Sequence, residues 1–183
     1  MKKYPKINSF VKTAILLLTI ITLSACDKDE PTCQGIDCLP PATQTGAGTF
    51  GCLVNGVPYV DNSGRFNCFY QLLNGKYYFN ISPTFKNYNL LELDLGSNNV
   101  NFEIKNQFIL SDYAEGNGAA AFFVGDGNRN IQTSVNNSNI CRITLFDTQK
   151  YIISGTFEFK IFDEVTQTLY VITEGRFDSK FTQ

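Results

Sequence analysis

A chain of 183 residues carries 16 Phe and 9 Tyr but no Trp and no His, with 15 basic against 17 acidic side chains and a formal charge of −2. The missing histidine excludes Ser-His-Asp and Cys-His nucleophilic mechanisms, HExxH zinc proteases and imidazole metal sites, leaving acid–base work to carboxylates, Lys, Tyr or Cys. An acidic balance without a Lys/Arg cluster argues against nucleic acid and against docking on anionic headgroups.

Lys2, Lys3, Lys6 and Lys12 precede Ala14–Leu23, AILLLTIITL. That apolar run is too short for a transmembrane helix, which needs about 20 apolar residues. It closes on Leu23-Ser24-Ala25-Cys26, which resembles the lipobox of bacterial lipoproteins and implies cleavage of residues 1–25 and lipidation of Cys26. The 158 residues from Cys26 onward hold eleven basic and seventeen acidic side chains, a charge of about −6. The membrane is thus expected as a partner through the lipid at Cys26 rather than through a protein face, at roughly 0.8 kcal/mol per buried CH₂.

Residues 26–49, CDKDEPTCQGIDCLPPATQTGAGT, are rich in Pro, Gly, Thr and acids and nearly free of large apolar groups, so a flexible tether is expected there. Lys28-Asp29-Glu30 resembles the export signal that sends Bacteroidota lipoproteins to the outer face of the outer membrane. A solvated linker at the periplasmic face has the same composition, so both faces stay open.

From Phe50 the hydrophobic period is two. Phe50–Val54 and Val57–Val60 flank Asn55-Gly56, and Cys68–Leu72 and Lys76–Asn80 flank Asn74-Gly75. Asn-Gly supplies the positive φ angles of a type I′ hairpin turn, so two hairpins are expected. Leu91, Leu93 and Leu95 alternate with Glu92 and Asp94, and Val100, Phe102 and Ile104 alternate with Asn101, Glu103 and Lys105. Residues 107–114 fit a short helical turn and a strand equally. Further strands are expected at Ala119–Val124, Ile131–Val135, Ile140–Phe146, Ile152–Phe162 and Leu169–Phe181, with Gly155 and Gly175 marking bulges or bends. Turn residues recur about every 8–12 positions, the pattern of one all-β domain over residues 50–183: an antiparallel sandwich or partly closed barrel of about ten strands.

Five cysteines remain besides Cys26. Export permits disulfides; Cys33 and Cys38 are close enough for a local one, while Cys52, Cys68 and Cys141 leave an odd thiol whichever two pair. Reduced thiols packed as small hydrophobes fit these three equally. The spacing lacks CxxC pairs, so no thiolate zinc site is expected.

Gly48-Thr-Phe-Gly-Cys-Leu-Val-Asn-Gly56 at the start of the domain, with Ser154-Gly-Thr-Phe-Glu-Phe159 and Thr173-Glu-Gly-Arg-Phe-Asp178 near its end, resembles a family of Bacteroidota lipoproteins with a single domain of unknown function. The resemblance runs from about Gly48 to the C-terminus. It implies a lipid-anchored all-β domain and lends no reaction, ligand or catalytic residue.

The last strands hold Glu158, Lys160, Glu174, Arg176, Asp178 and Lys180. Residues two apart on a strand share a face, so a charge ladder of roughly 0.2–1 kcal/mol per cross-strand pair is expected. The chemical reading, Glu158 with Glu174 as the acid and base of a glycosidase, needs carboxyls about 5–10 Å apart. Asp126, Asn128 and Asn130 have the i, i+2, i+4 oxygens that open a calcium loop but lack its closing glutamate, and a turn uses the same residues. Tyr59, Tyr70, Tyr77, Tyr78, Tyr88 and Tyr113 are candidates for an interface patch or ordinary strand residues. No cofactor is expected. The functional expectation is a non-catalytic envelope lipoprotein binding a protein, glycan or small ligand, with an accessory subunit of an envelope complex or a carboxylate-only hydrolase as alternatives.

Overall fold

A computed structural model describes residues 33–83, 93–104, 106–111, 119–125, 129–134 and 139–183. Cys26, the basic and apolar N-terminal segment, Tyr88, Tyr113, Asp126 and Asn128 lie outside the described residues, as do the side chain of Asn130 and the Leu91 end of the expected leucine strand. Gln34–Gln183 form one compact unit.

Among the described residues a 3-10 turn, Gly35–Cys38, precedes eleven strands: β1 (Thr49–Val54), β2 (Val57–Asp61), β3 (Asn67–Leu73), β4 (Lys76–Ser82), β5 (Leu93–Asn98), β6 (Gln107–Ile109), β7 (Ala119–Gly125), β8 (Arg129–Gln132), β9 (Ile140–Asp147), β10 (Ile152–Asp163) and β11 (Thr168–Lys180). They form two antiparallel sheets, β2-β1-β11-β10-β9-β6 and β3-β4-β5-β7-β8, and neither closes. Of the two expected architectures the sandwich is therefore the one formed.

Both hairpins turn on left-handed pairs, Asn55 at φ 50° with Gly56 at 81° and Asn74 at φ 51° with Gly75 at 78°, the backbone a type I′ turn demands. The β10–β11 hairpin closes differently: Asp163 accepts from the Val165 and Thr166 amides at 2.9 and 3.3 Å, an Asx-type turn.

The alternation at Val100, Phe102 and Ile104 does not produce a strand. Val100 and Phe102 are buried but Ile104 is 85% exposed. Asn101 explains the difference, because its Oδ1 accepts from the Glu103 amide at 2.9 Å and its carbonyl from the Ile104 amide at 3.2 Å. A side chain that bonds its own backbone competes with a sheet ladder. Residues 107–109 resolve as strand β6, paired with β9.

Phenylalanines join the sheets. Phe157 packs 5.1 Å from Phe50 and 6.4 Å from Phe177 within the first sheet, and Phe177 meets Phe79 of the second at 6.1 Å between ring centroids. Each such ring contributes roughly 1.5–3 kcal/mol by burial. Along β10 the register slips at two places. One lies between Ser154 and Gly155 against β9; the other lies between Phe157 and Phe159 against β11. A Cβ on Gly155 would sit 2.5 Å from the Phe177 ring and 2.6 Å from the Arg142 carbonyl, so close ring packing demands glycine there. The left-handed residue of the second bulge is Glu174, at φ 56°, next to Gly175.

Residues 34–48, read from composition as part of the tether, belong to the compact unit. Leu39 is buried, and Pro40 packs where a Cβ on Gly51 would approach to 2.6 Å. The composition is that of a linker, but Leu39 and Pro40 pack against the domain and the amides of Thr45, Gly46 and Ala47 bond to Asp178.

Candidate functional site

The charged residues of the closing strands separate into two structures. On the outer face, Arg142 of β9, Thr156 of β10 and Arg176 of β11 form one cross-strand row. Glu158 and Glu174 line a depression of about 320 Å³ with both arginines. Glu174 binds Arg176 at 3.2 Å along its own strand, and Arg142 donates to Gln107 at 3.2 Å. The bulge at Glu174 takes that residue out of the expected Glu174-Arg176-Asp178-Lys180 spacing, while Arg176, Asp178 and Lys180 keep a common face. A mixed-charge surface patch results, a solvated arrangement of small energetic weight.

Asp178 lies on the same face of β11 as Arg176 but is covered there by residues 43–47 and is 1% exposed. Its Oδ2 accepts from Thr43 Oγ1 at 2.6 Å, the Thr45 amide at 2.9 Å, Thr45 Oγ1 at 3.2 Å and the Ala47 amide at 3.1 Å. Its Oδ1 accepts from the Gly46 amide and from Ser154 Oγ, both at 2.8 Å, and its carbonyl from the Gly48 amide. Burial alone would raise the carboxyl, but these donors outweigh it and hold Asp178 well below the usual carboxylate range. This is a latch that straps residues 43–47 over β11. Its donors are already spent, so it has nothing to offer a ligand.

The thiols are equally closed. Cys33 and Cys38 are disulfide-bonded, while Cys52, Cys68 and Cys141 are free and buried. Burial pushes the Cys68 thiol up to about 12 and raises Cys52 and Cys141 further, so all three stay protonated and unreactive as packed hydrophobes. Among the described residues no group of three His, Cys, Asp or Glu side chains could hold a metal.

The concave site lies at one end of the sandwich. Tyr70, Leu72 and Tyr77 stand on the core-facing side of the β3–β4 hairpin, where Leu72 pairs with Tyr77 and Tyr70 with buried Phe79. Toward the Asn74-Gly75 turn the first sheet no longer covers this face, and Leu72 is left 57% exposed. Phe146 at the end of β9 closes the opposite wall. The cavity is about 490 Å³, with Gln71, Glu103, Thr148 and Gln183 among its polar lining. A second depression of about 290 Å³ continues from it, sharing Glu103, Phe146 and Thr148.

Ring packing makes the walls rigid. Tyr70 stacks on Tyr77 at 5.3 Å and on Phe102 at 4.8 Å, and meets the edge of Phe146 at 4.9 Å; Phe146 stacks on Phe181 at 5.4 Å. Tyr70 Oη donates to the Val100 carbonyl at 3.3 Å and accepts from the Phe102 amide at 3.2 Å, and burial pushes its phenol up to about 12. The wall therefore stays neutral across physiological pH. Aromatic walls, a few polar groups at the rim and a volume of several hundred Å³ are what ligand pockets share.

Of the tyrosines named from sequence, Tyr70 and Tyr77 build this site, whereas Tyr59 is buried in the core and Tyr78 lies on the other face of β4. Phe146, Glu103 and Thr148 had no distinguishing signal, because strand parity cannot say where one sheet stops covering the other. No protein-family model matches the chain, and neither a curated protein nor a solved structure matches it.

Proposed function

We propose that this chain is a lipid-anchored, non-catalytic binding module of the bacterial cell envelope that holds its ligand in the open end of the sandwich. The observation that carries the reading is the Tyr70–Tyr77–Phe146 cavity, in which core-facing side chains are left uncovered. A ligand there gains roughly 25 cal/mol per Å² of apolar surface it removes from water. The Leu23-Ser24-Ala25-Cys26 motif supports attachment through Cys26 to the outer membrane. Glu158 and Glu174 belong to a surface pair network away from this cavity, which favours binding over hydrolysis.

The test is saturable binding of envelope glycans, peptides or small molecules by the detergent-solubilised protein. Phe146→Ala should weaken that binding at least tenfold, by enlarging the cavity and removing one wall. Binding unaffected by this change would remove the site, and the absence of any saturable ligand would remove the module. Cys26→Ala should release the protein from membranes; retention would overturn the anchor.

A second reading, an accessory subunit docking on an envelope complex, draws on the tip of the β10–β11 hairpin. There Phe162 and Leu169 pair across the outer face and Val165 is 71% exposed. Crosslinking from Val165 to an envelope protein would favour it.

A further inference from the structure

Four rings stack in a column that ends in the open cavity. Phe108 lies on Phe102 at 5.5 Å, Phe102 on Tyr70 at 4.8 Å and Tyr70 on Tyr77 at 5.3 Å, with interplanar angles of 12°, 20° and 12°. Phe108, Phe102 and Tyr70 are buried, whereas Tyr77 is half-buried and lines the cavity. Tyr77 stacks on no other described ring, so the column ends there with one ring face unpaired.

Charge singles out Glu103. Among the described residues lining this cavity and the depression that continues from it, Glu103 is the one charged side chain, and it borders both. Its amide is held by Asn101, but no described donor meets its carboxylate. Beyond burial, the Glu103 charge helps push the Tyr70 phenol up, which sets that carboxylate within electrostatic reach of the ring column. The face of an aromatic ring is the negative part of its quadrupole, and a carboxylate beside it adds a full charge. Both attract the same kind of guest.

From this pairing, and resting on the binding-module reading, we propose that the ligand is a small organic cation, an alkylated ammonium with an apolar or aromatic body. Its nitrogen lies between the Tyr77 ring and the Glu103 carboxylate, and its body covers the Leu72–Phe146 wall. Alkyl groups weaken the hydration of the ion, so it leaves water for an aromatic wall more readily than a bare ammonium does. Gln71 and Thr148 remain for a polar substituent. A neutral sugar would use the rings but leave the carboxylate idle, and an anion would be repelled.

The experiment titrates the full chain, in micelles of a nonionic detergent, with phenyltrimethylammonium, choline, benzoate and dimethylbutanol. The last is the neutral isostere of choline, with tert-butyl in place of trimethylammonium. The expected result is saturable binding of both cations, read from NMR shifts at Tyr77 and Leu72. Choline should bind at least about fivefold more tightly than its isostere, and benzoate should not bind. Glu103→Gln, an exposed and shape-conserving change, should weaken both cations about threefold or more without moving the isostere or the urea midpoint. Tyr77→Leu, which keeps an apolar wall, should cost the cations more than the isostere. Equal affinity for choline and its isostere, or cation binding that Glu103→Gln leaves unchanged, would overturn the cation while leaving an apolar cavity. A neutral glycan or peptide that saturates and is weakened by Phe146→Ala, with no cation bound, would overturn the proposal and retain the module. If no probe saturates, both readings fall.

Discussion

Asp178 and Leu72 show how differently one chain treats its polar and apolar groups. Asp178 is a charge in the interior, yet six donors surround its carboxylate and each is supplied by the protein itself. Leu72 is an apolar side chain on a core-facing position, yet it remains more than half exposed. A buried polar group with every partner in place belongs to the architecture, however unusual its ionisation. An open apolar wall of this kind is what the proposed binding role draws on. The outer-face carboxylates Glu158 and Glu174 belong with neither, since solvent already serves them.

The comparison breaks most sharply at the latch. Asp178→Ala should cost about 3 kcal/mol or more, because buried donors from residues 45–47 and Ser154 lose a charged acceptor; the urea midpoint measures it. A loss below about 1 kcal/mol would mean that water replaces the carboxylate and that the strap is decoration. The acid response sharpens the same point. A carboxyl whose folded pKa lies below its unfolded value near 3.9 stabilises the fold fully above that value, and the contribution fades as pH falls further. Wild-type stability should therefore decline below about pH 4, and the gap to Asp178→Asn should narrow there.

Next in size is Gly155→Ala, where the added methyl meets the Phe177 ring and the Arg142 carbonyl. It should cost about 1–3 kcal/mol in thermal unfolding, or more if the backbone cannot shift. Tyr70→Phe keeps the ring but orphans the Phe102 amide, and about 1–2 kcal/mol is expected from chemical denaturation. The smallest effect belongs to the open wall. Leu72→Ser should change stability by no more than about 0.5 kcal/mol, since its side chain is largely in water already. A larger loss would show that Leu72 is a core residue and that the cavity is tighter than its exposure indicates.

Much of this architecture is legible one residue at a time. Asn55-Gly56 and Asn74-Gly75 declare their hairpins because few other dipeptides enter the left-handed region twice in succession. Phe157, Phe159 and Ile161 alternate with Thr156, Glu158 and Lys160, and their burial follows that alternation. The pattern fails at Phe177-Asp178-Ser179, three buried residues in a row. Both faces of β11 are covered there, one by the core and the other by a strap whose Thr, Gly and Ala residues have the composition of a linker. It fails again at Asn101, where one side chain diverts the backbone from the ladder that hydrophobic alternation implied.

Local chemistry by itself therefore determined the strands, their turns and the inward phenylalanines, because period and turn conformation are properties of neighbouring residues. Whether those strands packed as open sheets or a barrel, whether Asp178 met solvent or amides, and whether Leu72 was covered were decided by residues distant in the chain. Such outcomes depend on where one sheet ends relative to the other and on which segment crosses its edge. Strand parity assigns a side chain to a face, but only the assembled sandwich determines whether that face finds a partner.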